Sequence, residues 1–225
     1  MGSRTNTPKR ILEASRKLFN EKGYVATSLS EIAASIGISQ GNLTYHFPSK
    51  SNLALAIVQE LRTQMNDRRD AAQPGPVADD YVDHLLFAMS LVWDNRFLLR
   101  DRIHFADKIG SIESQSIADY EELHGLMMRI QAQGMFRANT VDDLSLLTRS
   151  IWVMSRYWMD HVSEFEGRKD ITWADQVRGI EHHFALLLPC LRRSAQKEFR
   201  VALDRAIARQ NASQPNKEMT SEATV

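Results

Sequence analysis

A short run of polar side chains near the start of the chain has the chemistry needed to read the edges of DNA bases. Gln40 and Asn42 carry carboxamides, which bond bidentately to adenine, and the Thr44 methyl group suits the thymine methyl. Three further side chains of this stretch suit backbone phosphates, namely Tyr45, His46 and Lys50. These residue types predict a surface between residues 40 and 50 that contacts nucleic acid.

Two short helices joined by a tight turn are predicted to position these side chains. A capping box formed by Ser28 and Glu31 begins the first helix, and Gly37 ends it. Ser39 caps the second helix, which covers residues 40–46. The pattern is typical of a helix-turn-helix, in which the second helix enters the major groove of DNA.

Gly41 is unusual inside so short a helix, because glycine costs about 1 kcal/mol relative to alanine there. Its missing side chain lets the backbone approach a phosphate or a base closely. The capped helix ends at Ser28 and Ser39 add amide groups that favour anions. Both serines therefore have two compatible roles, as helix caps and as phosphate ligands.

The rest of the chain is predicted to be helical as well. A first helix runs from the Thr7 cap to Gly23, and a fourth begins after the Ser49 cap. The strongest linker signal is the Gln-Pro-Gly-Pro segment at 73–76. Amphipathic segments follow at 78–94, 96–107, 114–133, 141–162, 173–191 and 195–209, and the polar residues 210–225 predict a loose tail.

Residues 9–61 resemble the DNA-binding domain of the TetR family of bacterial transcriptional regulators. The matching positions are Ile11-Leu12, Ala14, Leu18-Phe19, Gly23-Tyr24, Thr27-Ser28, Ile32-Ala33, Gly37-Ile38-Ser39, Gly41, Leu43, Tyr45-His46-Phe47, Ser49-Lys50 and Leu53. The resemblance implies an all-α protein with a three-helix DNA-binding domain at 5–65, whose helix-turn-helix is 28–47. It also implies a helical effector-binding and dimerisation domain at 77–209.

The same resemblance implies a ligand-responsive regulator, most often a repressor, that binds an inverted-repeat operator in double-stranded DNA as a homodimer. Carried over by position, the DNA contacts are Thr27, Ser28, Ser39, Gln40, Gly41, Asn42, Thr44, Tyr45, His46 and Lys50. The family usually has tyrosine at the position of Thr44. Because threonine is shorter, the contact is expected to pass to Tyr45.

Large, soft side chains in the second half of the chain are consistent with a pocket for a mostly apolar small molecule. The residues assigned to it are Phe87, Trp93, His104, Phe105, Met127, Met128, Trp152, Arg156 and Tyr157. For each residue taken singly, an ordinary apolar core is the favoured explanation, because methionine-rich cores also fill irregular gaps.

Two apolar stripes are candidates for the subunit interface. One consists of Leu144, Leu147, Ile151 and Met154, and the other of Val177, Ile180, Phe184 and Leu187/Leu188. Paired with their copies, the two helices would form a four-helix bundle. Both stripes are equally compatible with the internal core, and only the family resemblance favours an interface.

The charge of the chain is zero overall but unevenly placed. There are 28 basic and 28 acidic side chains. Residues 1–50 hold seven Lys and Arg against three Glu, a net of +4, and the remainder has a net of −4. A basic head and an acidic body predict which end contacts DNA, with modest non-specific affinity. The composition, 43% apolar and 25% charged, excludes an intrinsically disordered chain.

Two other protein classes stay open on the residues alone. A helical protein-interaction module would use the same polar surface for a protein partner. A helical-bundle enzyme is less favoured, because no nucleophile–base pair, phosphate loop or metal motif is present, and no cofactor is expected. The single Cys190 fits a reducing compartment, and no apolar run approaches the ~20 residues that span a bilayer. A cytoplasmic protein without a membrane partner is therefore predicted.

Overall fold

The computed structural model describes residues 7–101, 104, 110–138, 140–168 and 171–213. Within these residues the regular elements are helical, apart from one isolated bridge between Phe136 and Leu191. The helices are α1 (Thr7–Lys22), α2 (Leu29–Ser35), α3 (Gln40–His46), α4 (Lys50–Ala71), α5 (Val77–Asp94), α6 (Phe97–Arg100), α7 (Gly110–Ala132), α8 (Leu144–Asp160), α9 (Trp173–Leu187) and α10 (Arg193–Ser213). The predicted all-α class is confirmed.

Most helix bounds lie within a few residues of the prediction, and two differ more. α6 ends at Arg100, whereas the pattern predicted helix to residue 107; apart from Asp101 and His104, the remainder of that segment lies outside the described residues. α10 continues to Ser213, so the predicted tail does not begin at residue 210. Residues 214–225 lie outside the described part of the chain. No helix of the described residues is long and apolar enough to cross a membrane.

The chain divides into two compact units. The first unit contains residues up to 72 together with 89–119 and 159–173. Its core is formed by apolar side chains that recur at helical spacing on α1 to α4, and Phe97 of α6 is fully buried among them. The buried members are Ile11, Leu12, Phe19, Ile32, Ala33, Leu43, Leu53, Ala54, Ile57, Val58, Phe97 and Leu98.

The second unit contains residues 73–88, 120–158 and 174 onwards. Tyr81, Met127, Ile151, Leu187 and Phe199 are each fully buried in it. Its interior also holds polar side chains, among them Thr148, Gln176 and His183. Arginine pairs on its surface join α10 to α5.

The two predicted interface stripes are mostly internal. Ile151 and Leu187 are fully buried within one subunit, and Ile180 and Phe184 are less than one-tenth exposed. These four side chains therefore belong to the internal core, which is the alternative that the sequence left open, whereas Val177 of the second stripe is 39% exposed. The apolar side chains that α8 exposes are instead Leu146, Val153 and Tyr157.

Candidate DNA-binding interface

The start of α2 is fixed by the predicted capping box. The Ser28 hydroxyl accepts a hydrogen bond from the Glu31 amide at 3.2 Å, and the Ser28 amide donates to the Glu31 carboxylate at 3.1 Å. Lys22 of α1 also donates to Glu31, at 2.7 Å. The hydrogen bond from Lys22, followed by those from Ser28, lowers the pKa of Glu31 to about 2. α1 and α2 are thus joined at the carboxylate that caps α2.

The turn between α2 and α3 needs a residue in the left-handed region, and Gly37 supplies it with a φ of +71°. The Ile38 amide donates back to the Ala33 carbonyl at 3.0 Å, which closes the end of α2. Arg10 of α1 donates to the Ile36 carbonyl at 2.8 Å. Ile38 packs against the core of the unit. The geometry between the two short helices is therefore set by both backbone bonds and packing.

α3 separates apolar and polar side chains sharply. Leu43 is its one fully buried side chain, and it anchors the helix to the core. The Ser39 hydroxyl accepts from the Asn42 amide at 3.1 Å, as predicted for a cap. Gln40, Gly41 and Asn42 are exposed, which the predicted contact with DNA bases requires.

Tyr45 has the most exposed large side chain among those described in the first unit, at 85%. Its ring meets the half-buried His46 ring edge-on at 5.2 Å between centroids. The Thr44 hydroxyl donates back to the carbonyls of Gln40 and Gly41, at 3.0 and 3.1 Å. Thr44 is therefore held against its own helix, whereas Tyr45 extends into solvent.

Two predicted contact residues are engaged by the protein itself. Thr27 is only 1% exposed, and its hydroxyl donates to the Gly23 carbonyl at 2.8 Å. Any DNA contact from Thr27 must therefore come from its backbone. Lys50 donates to the carbonyls of Tyr24 and Val25 at 2.8 and 3.1 Å, and its ammonium lies 4.8 Å from the centre of the Tyr24 ring.

An open cleft of about 610 Å³ lies beside these residues. One wall is the loop from Tyr24 to Ser30, the other is the segment from Pro48 to Ser51, and Gln40 lies at the edge. The N-caps of α2 and α4, Ser28 and Ser49, both line it. Hydroxyls, amides and one ammonium converge here, which suits an anionic partner.

Residues 94–101 contact the end of α1 and the loop that follows it, in a way that the sequence did not reveal. Arg100 donates to the Phe19 and Asn20 carbonyls at 2.6 and 3.2 Å, and Asp101 accepts from the Tyr24 amide at 3.0 Å. The partners are 77 to 81 residues apart in sequence. No periodicity or cap signal connects positions so distant, so only the folded structure identifies this contact.

The predicted pocket residues are divided between the two units. Trp93 and His104 belong to the first unit, where Trp93 meets Trp173 edge-on at 5.7 Å, and Phe105 lies outside the described residues. The others belong to the second unit, namely Phe87, Met127, Met128, Trp152, Arg156 and Tyr157.

Within the second unit these side chains differ in how far they are exposed to solvent. Met127 is fully buried, whereas its neighbour Met128 is 49% exposed. Trp152 meets Tyr120 edge-on at 6.3 Å. The Arg156 guanidinium lies 5.8 Å from the ring of Tyr157, which is 44% exposed. Met127 is thus a core residue, and Met128 and Tyr157 lie at the surface.

Comparison with known proteins agrees with this architecture. Residues 11–57 match the family described as bacterial regulatory proteins of the tetR family, and residues 59–199 match a family described as bacterial transcriptional repressor. The chain is 44% identical over 140 residues to the transcriptional regulator UidR of Escherichia coli K12, covering 62% of this chain and 69% of UidR.

Two further relatives match different shares of the chain. It is 33% identical over 102 residues to the uncharacterized regulator YerO of Bacillus subtilis, and this match spans about a third of YerO. The crystal structure of a TetR-family regulator from Marinobacter aquaeolei VT8 superposes with a TM-score of 0.72 at 22% identity, covering 88% of this chain and 98% of that one. The two family matches together span both halves of the described chain, and the protein belongs to the TetR family of helix-turn-helix transcriptional regulators.

Proposed function

We propose that this regulator binds an inverted-repeat operator as a homodimer, with α3 of each subunit in a major groove, and acts as a ligand-responsive repressor. The observation that carries the proposal is the division of α3 into one buried anchor, Leu43, and an exposed polar surface. A helix held by a single apolar side chain leaves its remaining faces free to contact bases. We assign DNA binding to residues 5–65 and effector binding and dimerisation to 77–209.

The contact residues divide by chemistry. Gln40 and Asn42 suit base edges, since their carboxamides are exposed on the first turn of α3. Tyr45 is 85% exposed and takes the role that the shorter Thr44 leaves open. The phosphate contacts are assigned to Ser28, Ser39, His46 and Lys50, with the backbone of Thr27 and Gly41.

Electrostatic attraction in this interface is modest. Lys22 bonds to Glu31, and Arg16 pairs with Glu60 at 2.7 Å, so several basic groups of the head already have acidic partners. We therefore expect a shallow dependence of affinity on salt, because few phosphates are neutralised per subunit. Selectivity then depends on the neutral side chains of α3.

The subunit interface is assigned to the exposed face of α8. Leu146, Val153 and Tyr157 are spaced by seven and four residues, which places them on one side of the helix, and they are 44–62% exposed in the single chain. Val177 of α9 is 39% exposed, and we assign it to the same interface. The two half-sites that such a dimer would bind are expected to lie about 34–36 Å apart, one turn of the DNA helix.

A mostly apolar small molecule is the proposed effector, bound by the second half of the chain. The effector lowers operator affinity if it binds more tightly to the arrangement of the two DNA-binding regions that does not match the operator. By thermodynamic linkage DNA lowers effector affinity by the same factor, commonly about 1–3 kcal/mol.

DNA binding is tested with a duplex selected from a random library by the purified wild-type chain. Tyr45→Ala is expected to weaken binding to that duplex by roughly 1–3 kcal/mol. Lys50→Ala is expected to reduce the salt slope by about one for each subunit. Lys197→Ala, which removes an exposed charge from α10, is the matched control and is expected to change neither value.

The same experiment separates the rival functions. A DNA-binding regulator loses operator affinity in the Tyr45 variant while it keeps its dimer in sedimentation. A protein-interaction module or an enzyme selects no duplex from the library and has no DNA phenotype. Failure of the wild-type chain to select any sequence in a salt-sensitive manner contradicts the proposal.

A further inference from the structure

We propose that Asp101, outside the assigned DNA-binding domain, is a positioning residue for operator binding, because it bonds to the loop between α1 and α2 and holds it at the end of α6. The proposal rests on the DNA-binding function proposed above. It assigns no DNA contact to Asp101. Its action is through the backbone of Tyr24, which the carboxylate holds at 3.0 Å.

The loop begins where α1 ends. Gly23 has a φ of +97° and turns the chain away from the helix axis. The last carbonyls of a helix have no partner within it and must be satisfied elsewhere. Here Arg100 donates to two of them, those of Phe19 and Asn20, and it also pairs with Asp101 at 3.3 Å.

A reciprocal pair of bonds joins Asn20 of α1 to the segment that precedes Arg100 and Asp101. The Asn20 side chain accepts from the Phe97 amide at 3.1 Å and donates to the Asp94 carbonyl at 2.8 Å. It therefore bridges the end of α5 and the start of α6. We call Asn20, Arg100 and Asp101 the clasp, since each bonds to the backbone of the other segment.

The clasp bonds to the backbone of the same residue, Tyr24, to which Lys50 also bonds. Asp101 accepts from the Tyr24 amide, and Lys50 donates to the Tyr24 carbonyl at 2.8 Å. The Tyr24 backbone is thus bonded both to Asp101, which follows α6, and to Lys50, the first residue of α4. The loop that follows is one wall of the cleft and leads directly into the Ser28 cap of α2.

Loss of the Asp101 carboxylate leaves the Tyr24 amide without this acceptor and frees the loop to shift. The wall of the cleft, the α2 cap and the Lys50 ammonium are all attached to that loop. Operator affinity is therefore expected to fall although Asp101 is an acidic residue. Electrostatics alone predicts the opposite, because removing a negative charge near DNA strengthens binding.

The test measures affinity for the duplex selected by the wild-type full-length chain, across a salt series. Asp101→Ala is expected to bind roughly tenfold more weakly, which corresponds to the loss of one charge-assisted hydrogen bond. The salt slope is expected to stay unchanged, since Asp101 touches no phosphate. Asp101→Asn keeps an oxygen that accepts from the Tyr24 amide and is expected to stay within about threefold of the wild type.

Asp94→Ala is the matched control. It removes the same charge from an exposed side chain of the same segment, while Asn20 bonds only to the Asp94 backbone. This variant is expected to bind DNA as tightly as the wild type or more tightly. Weaker binding of Asp101→Ala beside unchanged or tighter binding of Asp94→Ala distinguishes positioning from electrostatics.

Asp101→Glu keeps the charge but displaces the carboxylate by one methylene, and it replaces Asp101→Ala if that variant does not fold. It is expected to bind several-fold more weakly. Wild-type affinity in the alanine or glutamate variant overturns the inference. So does an asparagine variant that binds as weakly as the alanine variant. Either result leaves the proposed DNA-binding function intact. A wild-type chain that selects no duplex overturns both.

Discussion

The helix-turn-helix of the first unit and the interior of the second unit place polar side chains in opposite environments. Ser28 and Ser39 are exposed and bond to amides three residues away. In the second unit, Tyr81 of α5 bonds to His183 of α9 at 2.7 Å, and His183 bonds to Ser155 of α8 at 2.8 Å. The first arrangement leaves polar groups available to a partner. The second uses its hydrogen-bonding capacity to join three helices.

Burial determines the protonation state of this second network. Tyr81 is fully buried and His183 is 2% exposed. Desolvation, with a smaller contribution from the charge of His84, lowers the pKa of His183 from 6.5 to about 3. A neutral imidazole accepts on one nitrogen and donates from the other, so it satisfies both the Tyr81 and the Ser155 hydroxyl.

The largest expected effect comes from removing the centre of this network. His183→Ala leaves a cavity and a buried Tyr81 hydroxyl without its partner, so the free energy of unfolding should fall by about 3–5 kcal/mol. Urea denaturation at fixed protein concentration measures it. His182→Ala, at the exposed neighbouring position, loses only a ring contact with Trp158 and should cost about 1 kcal/mol. Equal losses in the two variants would show that burial does not distinguish them.

The pH dependence of stability is the next largest effect. Below pH 6.5 the unfolded chain binds a proton at His183, whereas the folded chain does so only near pH 3. Unfolding therefore takes up a proton in this window, and the free energy of unfolding falls as the pH is lowered, by about 1.4 kcal/mol per pH unit. Denaturation at pH 7, 6 and 5 measures the slope, and His183→Gln should reduce it. An unchanged slope in that variant would assign the effect to other groups.

A close helix contact gives the third effect. A methyl group on Gly179 of α9 would lie 2.7 Å from the Trp158 ring, and that ring is fixed by its bond to the Asp175 carbonyl at 2.7 Å. Gly179→Ala should therefore destabilise the protein by about 1–3 kcal/mol. Gly125→Ala on α7 is the control, because nothing lies within 4 Å of the new methyl group. It should stabilise the helix by about 0.5–1 kcal/mol. Changes in melting temperature of the same sign in the two variants would contradict the close contact between Gly179 and the Trp158 ring.

The two regions also differ in how far sequence predicts them. The caps at Ser28, Ser39 and Ser49 and the bounds of α3 were predicted correctly, because a cap joins residues only three positions apart. The exposed polar face of α3 follows from the same short-range pattern. The DNA contacts themselves stay a prediction.

Contacts between distant segments were not predictable in this way. His183 and its neighbour His182 look equivalent in sequence, yet one is buried and the other exposed. The stripe containing Ile180 and Phe184 was compatible with an interface or with the internal core, because a helix that is apolar on one side does not reveal whether its own chain or a second one covers that side. The Asp101 contact has no local signal at all.

The smallest expected effect tests the exposed caps of the first unit. Ser28→Ala removes the acceptor for the Glu31 amide and should lower the free energy of unfolding by about 1 kcal/mol. Ser30→Ala is the matched control: its hydroxyl lies 3.0 Å from the Ser28 hydroxyl and caps no helix amide, so the loss should be smaller. Because the capped surface is proposed to face DNA, Ser28→Ala should also weaken operator binding by more than its stability loss explains, whereas His183→Ala at temperatures where it stays folded should not. Equal operator affinity in the Ser28 and Ser30 variants would place the cap outside the interface, and would confine the role of Ser28 to the start of α2.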